Sequence, residues 1–319
     1  MVLTLLNGYK NNFFCILQVE TKIIYMKNKF LSAIGTIVFI ATFFQSGAQN
    51  YDTVQIITHK ITEKIFSLEG AGGNIGVLTG KDGTIIIDDQ FAPLSKKIKD
   101  ALKVLNDNPV RFVINTHFHG DHSGGNENFG KDGAVIIAQD NSRSRMTTEQ
   151  FIAAFNSRTP AAPYDALPKV TFTESVTLHL NGETLQVMHL SNAHTDGDAI
   201  IFFKESNVIH TGDVYVRYGL PFIDQTHGGS IDGMIKGTDQ IIALANDDTK
   251  IIPGHGAIAT KKDLIEYRAM LQTLRDRIAG AMSKDKTLTE IIASDPTKEY
   301  AAVFDRSAFI TLVYDSLKK

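Results

Sequence analysis

Apolar residues recur along this chain in two rhythms. Short apolar runs bounded by Gly, Pro, Asn or Asp predict strands. They fall at residues 54–57, 64–68, 74–78, Thr84–Ile87, 111–115 and 135–138 in the first half, and at 176–180, 185–190, 199–203, Val208–His210 and Lys250–Ile252 in the second. Apolar positions three and four apart predict helices. One opens at Pro93 and carries Leu94, Ile98, Ala101, Leu102 and Leu105. Others are expected at residues 147–155, Ile231–Leu244 and Lys261–Met282, with shorter helices after them. Gly80-Lys81-Asp82-Gly83 and Asn181-Gly182 read as hairpin turns. Pro160, Pro163 and Pro168 make residues 156–169 a surface loop. The run 199–203 is apolar without alternation, as in a strand covered on both faces. Strands fill the middle of each half and helices can cover the outside. That order fits an α+β fold of two packed sheets rather than a doubly wound sheet.

One apolar segment stands apart. Residues 30–44, FLSAIGTIVFIATFF, follow the basic Met26-Lys27-Asn28-Lys29 and precede Ser46-Gly47-Ala48. The run is shorter than the ~20 residues that span a bilayer, and its flanks are those of a secretory signal peptide. The expected division is residues 1–25 as an extension from a start codon assigned too early, 26–48 as the signal peptide, cleaved after Ala48, and 49–319 as a single domain. Cys15 is the only cysteine, so the mature chain would have none. That is compatible with an oxidising setting, periplasmic or secreted.

Charge narrows the possible partners. Basic residues number 32 and acidic ones 35, a net charge of −3, which leaves no general basic face for nucleic acid. A chain this long can bury a core without a metal or disulfide staple, so a metal site found in it would be functional.

The candidate chemistry concentrates in Thr116-His117-Phe118-His119-Gly120-Asp121-His122, directly after an apolar strand. Imidazole and carboxylate are the zinc ligands available when thiolates are absent. His117 and His119, two apart, share a face in extended backbone. Gly120 then lets the chain turn before Asp121 and His122, so one loop can present two ligand pairs in two directions. Further donors stand just after other strands: His194 in AHTDGD, Asp213 in HTGD and His255 in PGHG.

This pattern, HxHxDH followed by His, Asp and His, resembles the metallo-β-lactamase superfamily of binuclear metallohydrolases over roughly residues 74–255. The resemblance implies an αββα sandwich with metals at one edge between the sheets. His117, His119 and His194 would bind a first zinc; Asp121, His122 and His255 a second; Asp213 would bridge them, and Asp88 would orient a ligand histidine. A metal-bridging hydroxide would be the nucleophile, with Asp121 catalytic in holding it and relaying its proton. Two Zn2+ are implied because the family's di-iron members place a glutamate where this chain has His119; iron or manganese are the alternatives.

The implied activity is that of an exported hydrolase cleaving an ester, lactone or amide bond of a small-molecule substrate, β-lactams included. Asp213 stands where β-lactamases of this fold carry a cysteine or a non-ligand such as serine. Lactonases often use a tyrosine near the bridging aspartate, which makes Tyr215 and Tyr218 candidates for substrate binding. A non-catalytic metal-binding protein and a di-iron redox protein are the alternative classes. No nucleic acid and no membrane beyond the signal peptide are expected as partners, and the sequence sets no oligomeric state. Residues 217–230 could form a wall or lid, with His227 at the surface. His59, His179 and His189 read as packed or exposed, and Gly70–Gly76 as a mobile loop near the metal edge.

Overall fold

Nearly all the apolar runs become strands of two packed sheets. The computed structural model describes residues 50–152 and 156–318. The proposed start extension, signal peptide and Cys15 lie outside the described residues.

The first half gives β1 (Ile57–Lys60), β2 (Ile65–Glu69), β3 (Ile75–Leu78), β4 (Thr84–Ile87), α1 (Ser95–Leu105), β5 (Val110–Ile114), α2 (Gly120–Ser123), α3 (Asn126–Lys131), β6 (Val135–Gln139), α4 (Asp140–Met146), β7 (Gln150–Ile152), β8 (Ser157–Thr159) and β9 (Val170–Phe172). The second half gives β10 (Ser175–Leu180), β11 (Glu183–Leu190), β12 (Asp198–Phe203), β13 (Val208–His210), α5 (Ile231–Leu244), β14 (Lys250–Ile252), α6 (Lys261–Met282), α7 (Leu288–Ser294) and α8 (Arg306–Ser316). One sheet runs β1-β2-β3-β4-β5-β6-β9 and the other β10-β11-β12-β13-β14. No described helix is long and apolar enough to cross a membrane.

The strand period of two sorts each apolar run into two cores. Ile85 and Ile87 of β4 and Ile114 of β5 pack with Val187, Ile201 and Ile252 of the other sheet, in the layer between them. Ile86 and Val113 point the other way, into a cluster with Ile98 and Leu102 of α1 and with Phe129. On the second sheet Ile200, Ile209 and Ile251 turn outward to Met234 and Ile241 of α5 and Leu264 and Leu271 of α6. Burial on both sheet faces explains why these strands lack polar alternation. Each fully buried Ile or Leu contributes about 1.5–3 kcal/mol. The result is the αββα layering expected from the sequence.

Topology then fixes the edge where chemistry can happen. β4 and β5 pair in parallel, as do β13 and β14. Their carboxyl ends therefore reach the same rim, and the following loops carry Asp88, His117, Asp213 and His255. Hydrogen bonds stitch the two sheets together there. Ala199 N–H donates to the Thr116 carbonyl at 2.7 Å, and Asn74 N–H to the Gly254 carbonyl at 2.7 Å. The Asn74 amide also donates to the carbonyls of Pro253 and Gly256, at 2.9 and 2.8 Å.

Local expectations fail where β-propensity competes with helical spacing. Of residues 147–155, expected as a helix, Thr147 caps α4 and Gln150–Ile152 form β7, paired antiparallel with β8, while 153–155 lie outside the described residues. β-Branched Thr147, Thr148 and Ile152 with aromatic Phe151 favour that outcome. Phe151 packs under the Arg158 guanidinium at 4.8 Å. The stretch 156–169, expected as loop throughout, contains β8 and a short 3-10 turn at Tyr164–Ala166. The strand expected at 54–57 begins only at Ile57.

Candidate metal centre

Three histidine rings meet just past the ends of β5 and β11. The Nε2 of His194 lies 3.0 Å from the Nδ1 of His119. The His117 ring stands edge-on to both, with centroids 4.7 Å from each. All three are buried. Each ring is held from its far side. Thr116 Oγ1 lies 3.0 Å from His117 Nδ1, Asp224 Oδ2 accepts from His119 Nε2 at 2.8 Å, and the Phe222 carbonyl accepts from His194 Nδ1 at 2.9 Å. Fixing one ring nitrogen as a donor leaves the other as a lone pair aimed inward.

A second group adjoins the first, the His117 and His122 centroids being 4.3 Å apart. His122 Nε2 and His255 Nε2 approach to 3.2 Å, and Asp121 Oδ2 lies 3.2 Å from His255 Nε2 and 3.6 Å from His122 Nε2. Asp213 stands between the groups. Its Oδ1 is 3.2 Å from His122 Nε2 and 3.5 Å from His255 Nε2, and its Oδ2 is 3.7 Å from His194 Nε2. Asp88 Oδ2 accepts from His122 Nδ1 at 2.8 Å and from Thr116 Oγ1 at 2.7 Å, while Oδ1 accepts from Thr116 N–H at 2.7 Å. One carboxylate thus orients His122 directly and steadies His117 through Thr116.

The donor set fits metal ions. Buried His117 Nε2 has no hydrogen-bond partner among the described residues, a costly state for a buried polar atom unless a cation completes it. His117–His119–His194 and Asp121–His122–His255 each converge within metal-binding reach, and His117–His122–Asp213 links them. The electrostatics agree. Burial, then neighbouring His122, His194 and His119, hold His117 well below its ordinary value, and burial takes His194 down to about 4. Both are neutral lone-pair donors. Burial alone would raise the Asp121 carboxyl, but His122 and His255 outweigh it and hold it at about 2. Asp213 is likewise ionised, held well below the usual carboxylate range by His255 and His122 against the effect of burial.

The model of the metallo-β-lactamase superfamily matches residues 68–255. The chain belongs to the metallo-β-lactamase superfamily. This superfamily is generally hydrolytic. Among its relatives is lactamase-like protein aptB of Emericella nidulans, 26% identical over 227 residues, 67% of this chain and 63% of the relative. The chain thus spans less than two thirds of that relative's length. The metallo-beta-lactamase type 2 of Bacteroides fragilis is 23% identical over 232 residues, 68% of this chain and 85% of the relative. Two solved structures share the fold. A metallo-beta-lactamase from Pontibacter korlensis gives a TM-score of 0.57 at 18% identity, covering 68% of this chain and 99% of that one. A sec-alkylsulfatase from Pseudomonas sp. gives 0.64 at 17% identity, covering 82% and 50%.

Around this superfamily centre the other candidates separate. Tyr218 reaches it, its ring 5.7 Å from His255. Tyr215 does not: it is buried against Tyr267, with ring centroids 4.9 Å apart. His227, expected at the surface, is buried. Its Nδ1 donates to Asp224 Oδ2 at 2.6 Å, and its backbone N–H donates to Asp224 Oδ1 at 3.2 Å. Asp224 was not singled out by the sequence, since it lies 105 positions from His119. Its local signal is an Asp capping a 3-10 turn that ends in His227. His59 and His179 lie on exposed strand positions, and His189 is partly buried with Nδ1 donating to the Asp198 carbonyl at 2.8 Å.

The stretch Gly70–Gly76 does lie at the metal edge, where it forms a tied buttress. Gly73 N–H donates to the Asp121 carbonyl at 3.0 Å, and the Gln90 amide donates to the Gly73 carbonyl at 2.7 Å. A Cβ at Gly73 would sit 2.1 Å from His122 Cε1, so only glycine allows the ring its position.

Above the donors lies a cavity of about 550 Å³. Its floor carries His119, Asp121, Asp213 and His255, and its walls include Tyr218, Phe222 and Phe304. The volume is within the range of about 300–1,000 Å³ usual for small-molecule sites.

Proposed function

We propose that this protein is an exported binuclear zinc hydrolase that cleaves an ester, lactone or amide bond of a small molecule. The supporting observation is that two adjoining donor clusters, with Asp213 between them at 3.2 Å from His122 and 3.7 Å from His194, open onto one cavity through Asp121. His117, His119 and His194 would hold one metal, Asp121, His122 and His255 the other, and Asp213 both. Such a pair supplies Lewis acidity and brings the pKa of water towards neutrality.

The chain's own groups divide the remaining work. Asp121 is the most exposed carboxylate of the centre, 30% against 8% for Asp213. Its ionised carboxylate lines the cavity, where it would orient the attacking water, take its proton and pass that proton to the leaving oxygen or nitrogen. Tyr218 is held well above 10, by burial first and then by Asp213. Its phenol therefore stays protonated and can donate to the carbonyl oxygen as charge develops there.

β-Lactam cleavage is the second reading, supported by the likeness to the Bacteroides fragilis metallo-beta-lactamase. Against it, no Lys or Arg among the described residues lines the cavity to meet a substrate carboxylate. The test is hydrolysis of a chromogenic ester, a lactone and a chromogenic β-lactam by the zinc-loaded protein. Ester or lactone turnover that chelation abolishes is expected, and Asp121→Ala should lower kcat/KM about 10²–10⁴-fold. No metal-dependent turnover on any of the three would overturn the reading. N-terminal sequencing of the exported protein checks cleavage after Ala48.

A further inference from the structure

We infer that the substrate carries an uncharged aliphatic chain, and that the groove between residues 220–222 and α8 binds it; this rests on the hydrolase reading above. Beside the catalytic cavity lies a second one of about 240 Å³, and the two share Phe222 and Phe304 as walls. Beyond those rings the groove is lined by Leu220, Pro221, Ala308, Phe309 and Leu312. The one charged residue among its described lining, Asp305, is turned to the helix start: Oδ1 accepts from Ser307 N–H at 2.9 Å and Oδ2 from Ser307 Oγ at 2.7 Å. Among the described residues no Lys or Arg lines either space to stabilise a carboxylate or phosphate at the far end of a substrate.

Phe222 links the groove to the chemistry. Its ring centroid is 5.8 Å from that of His194 and 6.1 Å from that of His119, and its carbonyl accepts from His194 Nδ1. Phe304, 39% exposed, stands edge-on to Tyr218 at 5.5 Å, and Val303 beside it is 61% exposed. These side chains form an apolar threshold from the metal centre to α8. A carbonyl held over His119, Asp121 and His255 can therefore send its chain across Phe222 and Phe304 while leaving only apolar atoms in contact.

The experiment is kcat/KM of the zinc-loaded protein on 4-nitrophenyl esters from acetate to octanoate. Full burial of a methylene is worth about fourfold in binding. Partial burial along the series should raise kcat/KM at least about tenfold from acetate to octanoate. Ala308→Trp, which fills the groove, should cut the octanoate-to-acetate ratio at least about fivefold. Leu312→Trp, on the partly exposed side of α8, serves if the first variant fails to fold. A flat series with acetate still cleaved overturns the groove and leaves the hydrolase standing.

If no ester is cleaved, the metal-free protein decides by binding. The neutral probe N-phenyl-1-naphthylamine should bind, be displaced by 1-decanol far better than by 1-butanol, and lose affinity in the Trp variants. Absence of such binding overturns the groove.

Discussion

Asp224 and His119 are joined by a hydrogen bond of 2.8 Å, made by the ring nitrogen opposite the one that faces His194. The same carboxylate oxygen accepts from His227 Nδ1 at 2.6 Å, so a buried His227–Asp224 pair stands behind one of the proposed metal ligands. A carboxylate in this position fixes the tautomer of the ligand ring and raises its basicity.

Asp224→Asn is expected to weaken metal binding about 10–100-fold while preserving the fold. Competition with a chromophoric chelator measures the affinity, and circular dichroism checks the fold. Unchanged affinity would show that His119 does not depend on Asp224.

Asp88 is more deeply committed to structure. It accepts from Thr116 N–H, Thr116 Oγ1 and His122 Nδ1, and all three residues are buried. Asp88→Ala strands these donors and should cost about 3–5 kcal/mol, read from the denaturant midpoint of metal-free protein. A loss under about 1 kcal/mol would mean that water replaces the carboxylate.

Gly73→Ala should displace the His122 ring, since the new methyl would meet its Cε1, Nδ1 and Nε2. Overpacking of this kind costs about 1–3 kcal/mol. The variant should also bind less metal than wild type by elemental analysis; equal content would show that the loop shifts freely.

The metal-free centre should be a proton store. Burial pulls His255 down, but Asp213 and Asp121 outweigh it and hold the ring at about 9. His122 is likewise held well above its ordinary value by Asp213, Asp121 and Asp88, against burial. Folded values above the unfolded one mean that the stability from these rings is full below about pH 6.5 and lost as pH rises through about 9. Metal-free protein should therefore lose stability across that window, and zinc-loaded protein far less. Zinc must displace these protons, so calorimetric titrations near about pH 7.5 in buffers of different ionisation enthalpy should show at least about one proton released per chain. Binding without proton release would contradict this picture.

The sequence exposed the parts of the centre that are local. His117, His119, Asp121 and His122 sit in one loop, and His194, Asp213 and His255 each follow an apolar strand closely. Both sheets were legible because Ile85, Ile86 and Ile87, or Ile200 and Ile201, announce burial on two faces. Asp224 and His227 were not legible, because their i,i+3 spacing signals only a capped turn and their role comes from that loop folding back onto His119. The β7–β8 hairpin was hidden because its apolar residues fit helical spacing as well as strand propensity. Tyr215 and Tyr218, three apart, looked equivalent until packing sent one to the core and the other to the cavity.

Metal content and hydrolysis measured on one preparation test the two-metal hydrolase most directly. The zinc-loaded protein should carry about two equivalents per chain and lose ester or lactone turnover on chelation, with recovery on adding zinc back. His117→Ala should lower both content and turnover. Less than about one equivalent after loading, or turnover indifferent to chelation, would contradict it.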